Sequence, residues 1–304
     1  MKRSHSSSLI WMHLIVLIYG FTAILGKLIE MPAIQMVWYR MLIAAAGLFA
    51  YLLYKKKQIL IPGSQAIKLV GIGLVVAAHW IAFFHAIKIS NISVTLGVTS
   101  SGAMFASILE PMFFKKKIDW LEFLIGIFIV LGIYLIFSYE VNYKMGITVA
   151  LIATVLATIF TILNKKYTTR FHPTLISFYE MVGGVMGISV YLLVVNGFSA
   201  SFFSPSLSDS SYLLILGLIC TAFAFAVSVD VMKELSAYTV ILSLNMEPVY
   251  GIILAFFIFG QSEHMTGGFY AGTIIILASV FLFPVIKRRR EKLTKKNQHI
   301  GKRF

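Results

Sequence analysis

The chain has 304 residues, 59% of them hydrophobic and only 12% charged, with a mean hydropathy of +0.88. A water-soluble domain of this size could not cover that much apolar surface, so soluble enzymes and regulators are excluded. The net charge of +14 does not point to nucleic acid, because nine of the 26 basic residues crowd into 287–304 against one acid, Glu291.

Ten apolar runs follow one another, each long enough to cross a bilayer core of about 30 Å as a helix. The predicted spans are 9–29, 33–54, 67–87, 93–114, 120–139, 146–164, 173–196, 211–232, 236–259 and 265–286. Their apolar character is continuous rather than alternating, which argues against a transmembrane β-barrel. Lys2-Arg3 followed by an apolar run resembles a signal peptide. That run passes 20 residues without a small-x-small cleavage site, so an uncleaved first helix is expected.

The second span carries Arg40, about two turns inside its outer end. It could grip a substrate carboxylate through two nitrogens, pair with Glu180 or Glu247, or snorkel outward. Glu180, in the seventh span, has the same alternatives. The third span holds His79, Trp80 and His85. The two histidines are on different faces and would not share a metal ion. His79 and Trp80 could line a cavity and stack on a ring-bearing or cationic solute, or simply pack. In the fourth span Thr95, Thr99, Ala103, Ser107 and Glu110 share a face, either for solute contact or for close helix packing. Cys220, in the eighth span, is the only cysteine, so neither a disulfide framework nor a cysteine-based metal site is expected.

The ninth span is the most informative. Glu247 falls about 16 Å along it, near mid-bilayer. Ser236, Thr239, Ser243, Glu247 and Tyr250 recur every three or four residues and make one polar stripe. A buried carboxylate costs several kcal/mol unless a proton or a partner neutralises it. Glu247 therefore suits proton coupling or the counter-charge for a substrate amine; a structural ion pair or interhelical hydrogen bond is the alternative. Pro248 removes a backbone hydrogen bond and is the candidate hinge, unless its kink serves packing alone. Asn245, like Asn164, could cross-bond helices or touch a solute.

Basic residues favour alternate loops. Lys2, Arg3, Lys55, Lys56, Lys57, Lys68, Lys115, Lys116, Lys117, Lys165, Lys166, Arg170, Lys233 and the tail fall on one side, against Lys27, Lys88 and Lys144 on the other. This bias places both termini, 1–8 and 287–304, in the cytoplasm, with the tail as a topology anchor against anionic lipid. The chain also repeats. Residues 9–139 and 144–286 each hold five spans, and Lys27, Lys88, Thr95 and Thr99 match Lys165, Lys233, Thr239 and Ser243. The match breaks where Arg40 meets Glu180 and Ala103 meets Glu247. A unit of five spans is odd, so its copy must enter the membrane upside down, the plan of inverted-repeat carriers.

Several motifs resemble those of EamA-type members of the drug/metabolite transporter superfamily. Tyr19-Gly20-Phe21-Thr22 with Lys27 resembles their first helix, and Arg40 falls where they tend to carry an arginine. Phe83-Phe84-His85-Ala86-Ile87-Lys88-Ile89-Ser90-Asn91 is similar to the end of their third helix. Asn245-Met246-Glu247-Pro248 followed by Gly260-Gln261-Ser262-Glu263 resembles their ninth. The helix-four proline of the family is replaced by Met104, and its following Gly-Glu by Lys116-Lys117. The resemblance implies an all-α integral membrane protein of ten helices in two inverted five-helix repeats. It also implies a plasma-membrane carrier, usually an exporter of small metabolites such as amino acids. Alternating access, with or without proton coupling, is the expected mechanism. The expected partners are a small-molecule substrate and the lipid bilayer, with no nucleic acid and no cofactor. A membrane enzyme would need a catalytic constellation, and no H-E-x-x-H, G-x-S-x-G or P-loop is present. A lipid-handling or scaffold protein would not need the polar stripe of the ninth span.

Overall fold

Apolar runs with few breakers form helices, and all regular structure in the described residues is helical. The computed structural model describes residues 4–115, 117 and 120–301. Lys2, Arg3, Lys116, Lys302 and Arg303, counted above in the charge bias, lie outside the described residues. Eight segments are long and apolar enough to span a membrane, and Leu124–Tyr139 and Gly267–Ser279 are shorter apolar helices.

The helices are α1 (His5–Leu28), α2 (Ala33–Tyr54), α3 (Gly63–Ile89), α4 (Ile92–Thr99), α5 (Gly102–Phe114), α6 (Trp120–Tyr139) and α7 (Lys144–Tyr167). There follow α8 (Pro173–Val194), α9 (Leu207–Gly217), α10 (Ala224–Val231), α11 (Ala237–Leu244), α12 (Glu247–Phe259) and α13 (Gly267–Gly301). Prolines at 32 and 62 stand immediately before α2 and α3, where a missing N–H costs nothing. The α1 helix starts four residues earlier than expected, because Ser4 accepts a cap bond from Ser7 N at 3.2 Å.

Three predicted spans are not single helices. The fourth divides at Ser100-Ser101 into α4 and α5, and the ninth at Asn245-Met246 into α11 and α12. The eighth contains a π-helical turn, Leu218–Phe223, between α9 and α10. The tail expected at 287–304 does not separate from the last span: α13 runs on to Gly301. Lys, Arg and Glu are good helix formers, and no Gly or Pro interrupts them between Pro284 and Gly301.

The surface is the reverse of a soluble protein's. Large apolar side chains such as Leu53, Ile152, Val190, Leu193 and Phe257 point outward, while Arg40, Asn164, Glu180 and Asn245 are buried. An apolar belt of this extent marks lipid contact. With lipid as apolar as the interior, close backbone approach holds the helices. A Cβ on Gly73 would stand 2.1 Å from the Glu180 carbonyl oxygen, and one on Gly183 would stand 2.4 Å from that of Val70. These two glycines let α3 and α8 touch backbone to backbone.

Each end of the bundle is tied by polar bonds. At one, Lys27 Nζ lies 2.7 Å from Glu263 Oε1 and Lys88 donates to the Ile29 carbonyl. At the other, Lys165 donates to the Met232 carbonyl and Tyr179 to that of Ile59. These are the Lys27 end and the Lys165 end below.

Candidate functional site: a cavity where two broken helices meet

A helix that stops inside a bundle leaves backbone and side-chain polar groups to be satisfied. Both breaks, at Ser100-Ser101 and at Asn245-Met246, border a cavity of about 120 Å³. Its walls come from α1 (Tyr19, Thr22), α2 (Arg40), α3 (His79, Trp80, Phe83), α7 (Thr154, Thr158, Phe160, Thr161) and α10 (Phe225, Ser228). Thr99, Gly102, Asn245 and Glu247 line it from the two breaks.

Arg40 is held in this wall from two sides. It is 2% exposed, and its guanidinium carbon lies 3.8 Å from the centre of the Trp80 ring. Its Nε donates to Thr221 Oγ1 at 2.6 Å, and Thr221 donates in turn to the Leu216 carbonyl at 2.6 Å. That second bond reaches five residues back, across the π turn, which places the threonine hydroxyl under the arginine. Arg40 Nη1 has no protein partner and is buried. The site thus holds a cation fixed by an aromatic ring and a hydroxyl, with one buried donor nitrogen lacking a protein partner.

Opposite charge enters from α12. Glu247 is its first residue and is partly exposed, to the cavity it lines. Pro248 follows at the start of the helix, so it begins α12 rather than kinking a continuous helix. Asn245 sits in the break, 2% exposed, with Nδ2 lacking a partner. Ser101, in the matching break, likewise has an unpartnered buried hydroxyl. His79 Nδ1 lies 2.8 Å from the Ala153 carbonyl. A carbonyl only accepts, so Nδ1 carries the proton of that bond. Tyr19 donates to Ser228 Oγ at 3.3 Å.

Of the residues singled out in the sequence, Arg40, His79, Trp80, Thr99, Asn245 and Glu247 come together in this wall. The others stand elsewhere. Thr95 donates to the Asn91 carbonyl, and Thr239 meets Ser236 Oγ at 2.8 Å. Ser243 donates to the Thr239 carbonyl, and Tyr250 packs beside Gly20 on α1. Glu180 faces Asn164, not Arg40. The stripe expected along one helix is therefore divided by the break. Thr154, Thr158 and Thr161 were missed by sequence reasoning, although their spacing on one face of α7 is a readable signal. Tyr19 was visible only as part of the first-helix motif, and Ser228 carried no signal.

The EamA-like transporter family model matches residues 6–138 and again 144–284. The chain belongs to the EamA-like transporter family. EamA-like architecture is thus present twice, and this EamA-like chain is a multi-pass membrane protein, consistent with a transporter. A solved structure described only as "Crystal structure of protein" overlays at TM-score 0.69 and 15% identity, over 95% of this chain and 100% of that one. That likeness shows the fold of the EamA-like chain and nothing of its substrate. No curated protein matches by sequence.

Proposed function

We propose that the protein is a secondary carrier that exports amino acids or similar small metabolites across the plasma membrane by alternating access. In this reading ten helices form two inverted five-helix repeats, 9–139 and 144–286, with both termini and the Lys165 end in the cytoplasm. The observation that carries the proposal is that Arg40, whose buried Nη1 has no protein partner, and Glu247 line the same cavity. An anionic group on the solute completes Arg40, and a cationic group on the same solute answers Glu247, which can otherwise hold a proton. The Thr99 and α7 hydroxyls supply neutral contacts. The cavity is about 120 Å³, below the roughly 300–1,000 Å³ of sites for drug-sized ligands, which favours a small metabolite. Breaks in paired helices at mid-membrane are the usual setting of carrier sites.

The test uses proteoliposomes loaded with a panel of zwitterionic, anionic and cationic metabolites. Arg40→Lys keeps the charge but loses the planar fork, and should weaken apparent affinity for carboxylate solutes about 10- to 150-fold. Glu247→Gln should weaken amine-bearing solutes and leave simple anions less affected. Unchanged affinity in both variants overturns the assignment of the cavity.

A further inference from the structure

A second polar cluster lies outside the cavity wall, between α7 and α8. Asn164 on α7 and Ser177 and Glu180 on α8 are each 0% exposed. Ser177 and Glu180 are one turn apart and share a face. Asn164 Nδ2 donates to Glu180 Oε2 over a long 3.4 Å. Three further oxygens on these residues have no partner: Asn164 Oδ1, Glu180 Oε1 and, one turn from Glu180 on α8, Ser177 Oγ. Two of these can only accept, and turning the amide over would merely exchange one orphan for another. The cluster therefore lacks positive charge, not geometry, and a buried acceptor set left in that state is costly.

Most charged and titratable groups on the neighbouring helices are bonded elsewhere or exposed; His85, Lys144 and Lys166 are exposed, and the ring of Tyr167, one turn from Asn164, stacks on Phe171. On α2, Arg40 bonds Thr221 and Tyr39 donates to the Phe202 carbonyl. On α3, His79 bonds the Ala153 carbonyl, Lys88 the Ile29 carbonyl, and Lys68 is exposed. On α7, Lys165 donates to the Met232 carbonyl. On α10, Asp230 pairs with Lys233 at 2.8 Å, and on α8 itself Tyr179 donates to the Ile59 carbonyl.

We infer that Asn164, Ser177 and Glu180 form a binding site for one monovalent cation, a proton or a sodium ion, separate from the substrate cavity. A proton on Glu180 Oε1 supplies the donor that Asn164 Oδ1 lacks. A sodium ion takes lone pairs from all three oxygens. The framework is rigid on one side, because Gly73 and Gly183 lock α8 against α3. On the other side it reaches the cavity: Asn164 lies one turn beyond Thr161, and its neighbour Lys165 bonds Met232, and both Thr161 and Met232 line the cavity. Occupancy of the cluster can thus bias the Lys165 end, which is the property a coupling ion needs. This last consequence rests on the carrier reading; cation binding itself does not.

The experiment is melting of the purified full chain in nanodiscs, without any transported solute, so its result stands whether or not the carrier reading holds. One arm varies NaCl against choline chloride at constant ionic strength, and the other varies pH at constant sodium. A cation bound only by the folded state raises the melting midpoint by about 2–4 °C per tenfold rise above its dissociation constant. In the wild type one arm should show that rise, and Glu180→Gln, which carries its own donor, should abolish it. A response to sodium identifies the ion as sodium, and a pH response that differs between wild type and Glu180→Gln identifies it as the proton. Asn164→Leu leaves the carboxyl in place and should weaken the response at least tenfold, which covers a failure of Glu180→Gln to fold. Identical sodium and pH responses in the wild type and in whichever of these variants folds overturn the proposal.

Discussion

At the scale of the residue, two charges lie within apolar segments of the bundle, Arg40 on α2 and Glu247 at the start of α12. Arg40 and Glu247 stand out because a charge inside an apolar run has few bland explanations. Nothing in the chain announces Thr221 as the seat of Arg40, because that contact depends on a π turn and on a partner 181 positions away. The α7 threonines were legible by spacing yet ambiguous in role, since hydroxyls also bond their own helix: Thr158 donates to the Thr154 carbonyl at 2.9 Å. One residue in a loop makes a prediction about pH. Burial first, then Lys233 and Lys57, hold the His172 imidazole below its ordinary 6.5, with Asp230 opposing. The unfolded chain therefore takes up this proton first. The associated stability is fully present above 6.5 and is lost as pH falls through the lowered folded value. Melting of His172→Gln should show a shallower acid-side decline than the wild type over that window. The side chain is only partly covered, so the difference should be modest and shrink at high salt.

At the scale of the element, helix number and rough placement follow from apolar length, whereas the breaks do not all follow from composition. Pro248 marks the α11–α12 break in the sequence. The α4–α5 break carries no proline, only Ser100, Ser101 and Gly102, which pack membrane helices as readily as they interrupt them. The other end of α4 is fixed by a tertiary contact. The start of α4 is held by Glu263, which accepts from Ser93 N at 2.9 Å and from Ser93 Oγ at 2.8 Å. The α13 helix continues through the basic tail because charge marks the membrane boundary, not the end of a helix. Close packing makes the element-scale prediction. Gly73→Ala drives a methyl to 2.1 Å from a backbone oxygen on α8, and backbone cannot turn aside as a side chain can. It should destabilise the protein by about 1–3 kcal/mol, read as a lower melting midpoint in nanodiscs. Gly63→Ala, with open space around it, is the control and should change little. Equal effects would mean that the α3–α8 contact does not matter.

At the scale of the molecule, the two family-matched halves hold each other by a reciprocal exchange of carboxylates. Glu263, from the second half, caps α4 of the first half and pairs with Lys27. Glu110, from the first half, accepts from Tyr238 N at 2.7 Å and so caps α11 of the second. A carboxylate on exposed helix N–H groups is favoured by hydrogen bonding and by the helix dipole together. The exchange places one cap at the Lys27 end, where α4 begins, and the other at the Lys165 end, where α11 begins. In the proposed carrier, rocking of one half against the other cannot open an end without loosening the cap at that end. Each cap is worth about 1–2 kcal/mol, enough to move a two-state population about 5- to 30-fold. Glu263→Gln should therefore favour opening at the Lys27 end, and Glu110→Gln opening at the Lys165 end. The measurement is labelling of a Thr99→Cys reporter in a Cys220→Ser background, with a membrane-impermeant maleimide applied from each side in turn. Opposite shifts in sidedness for the two variants are expected. Shifts in the same direction, or none, would show that the caps stabilise the fold without governing which end opens.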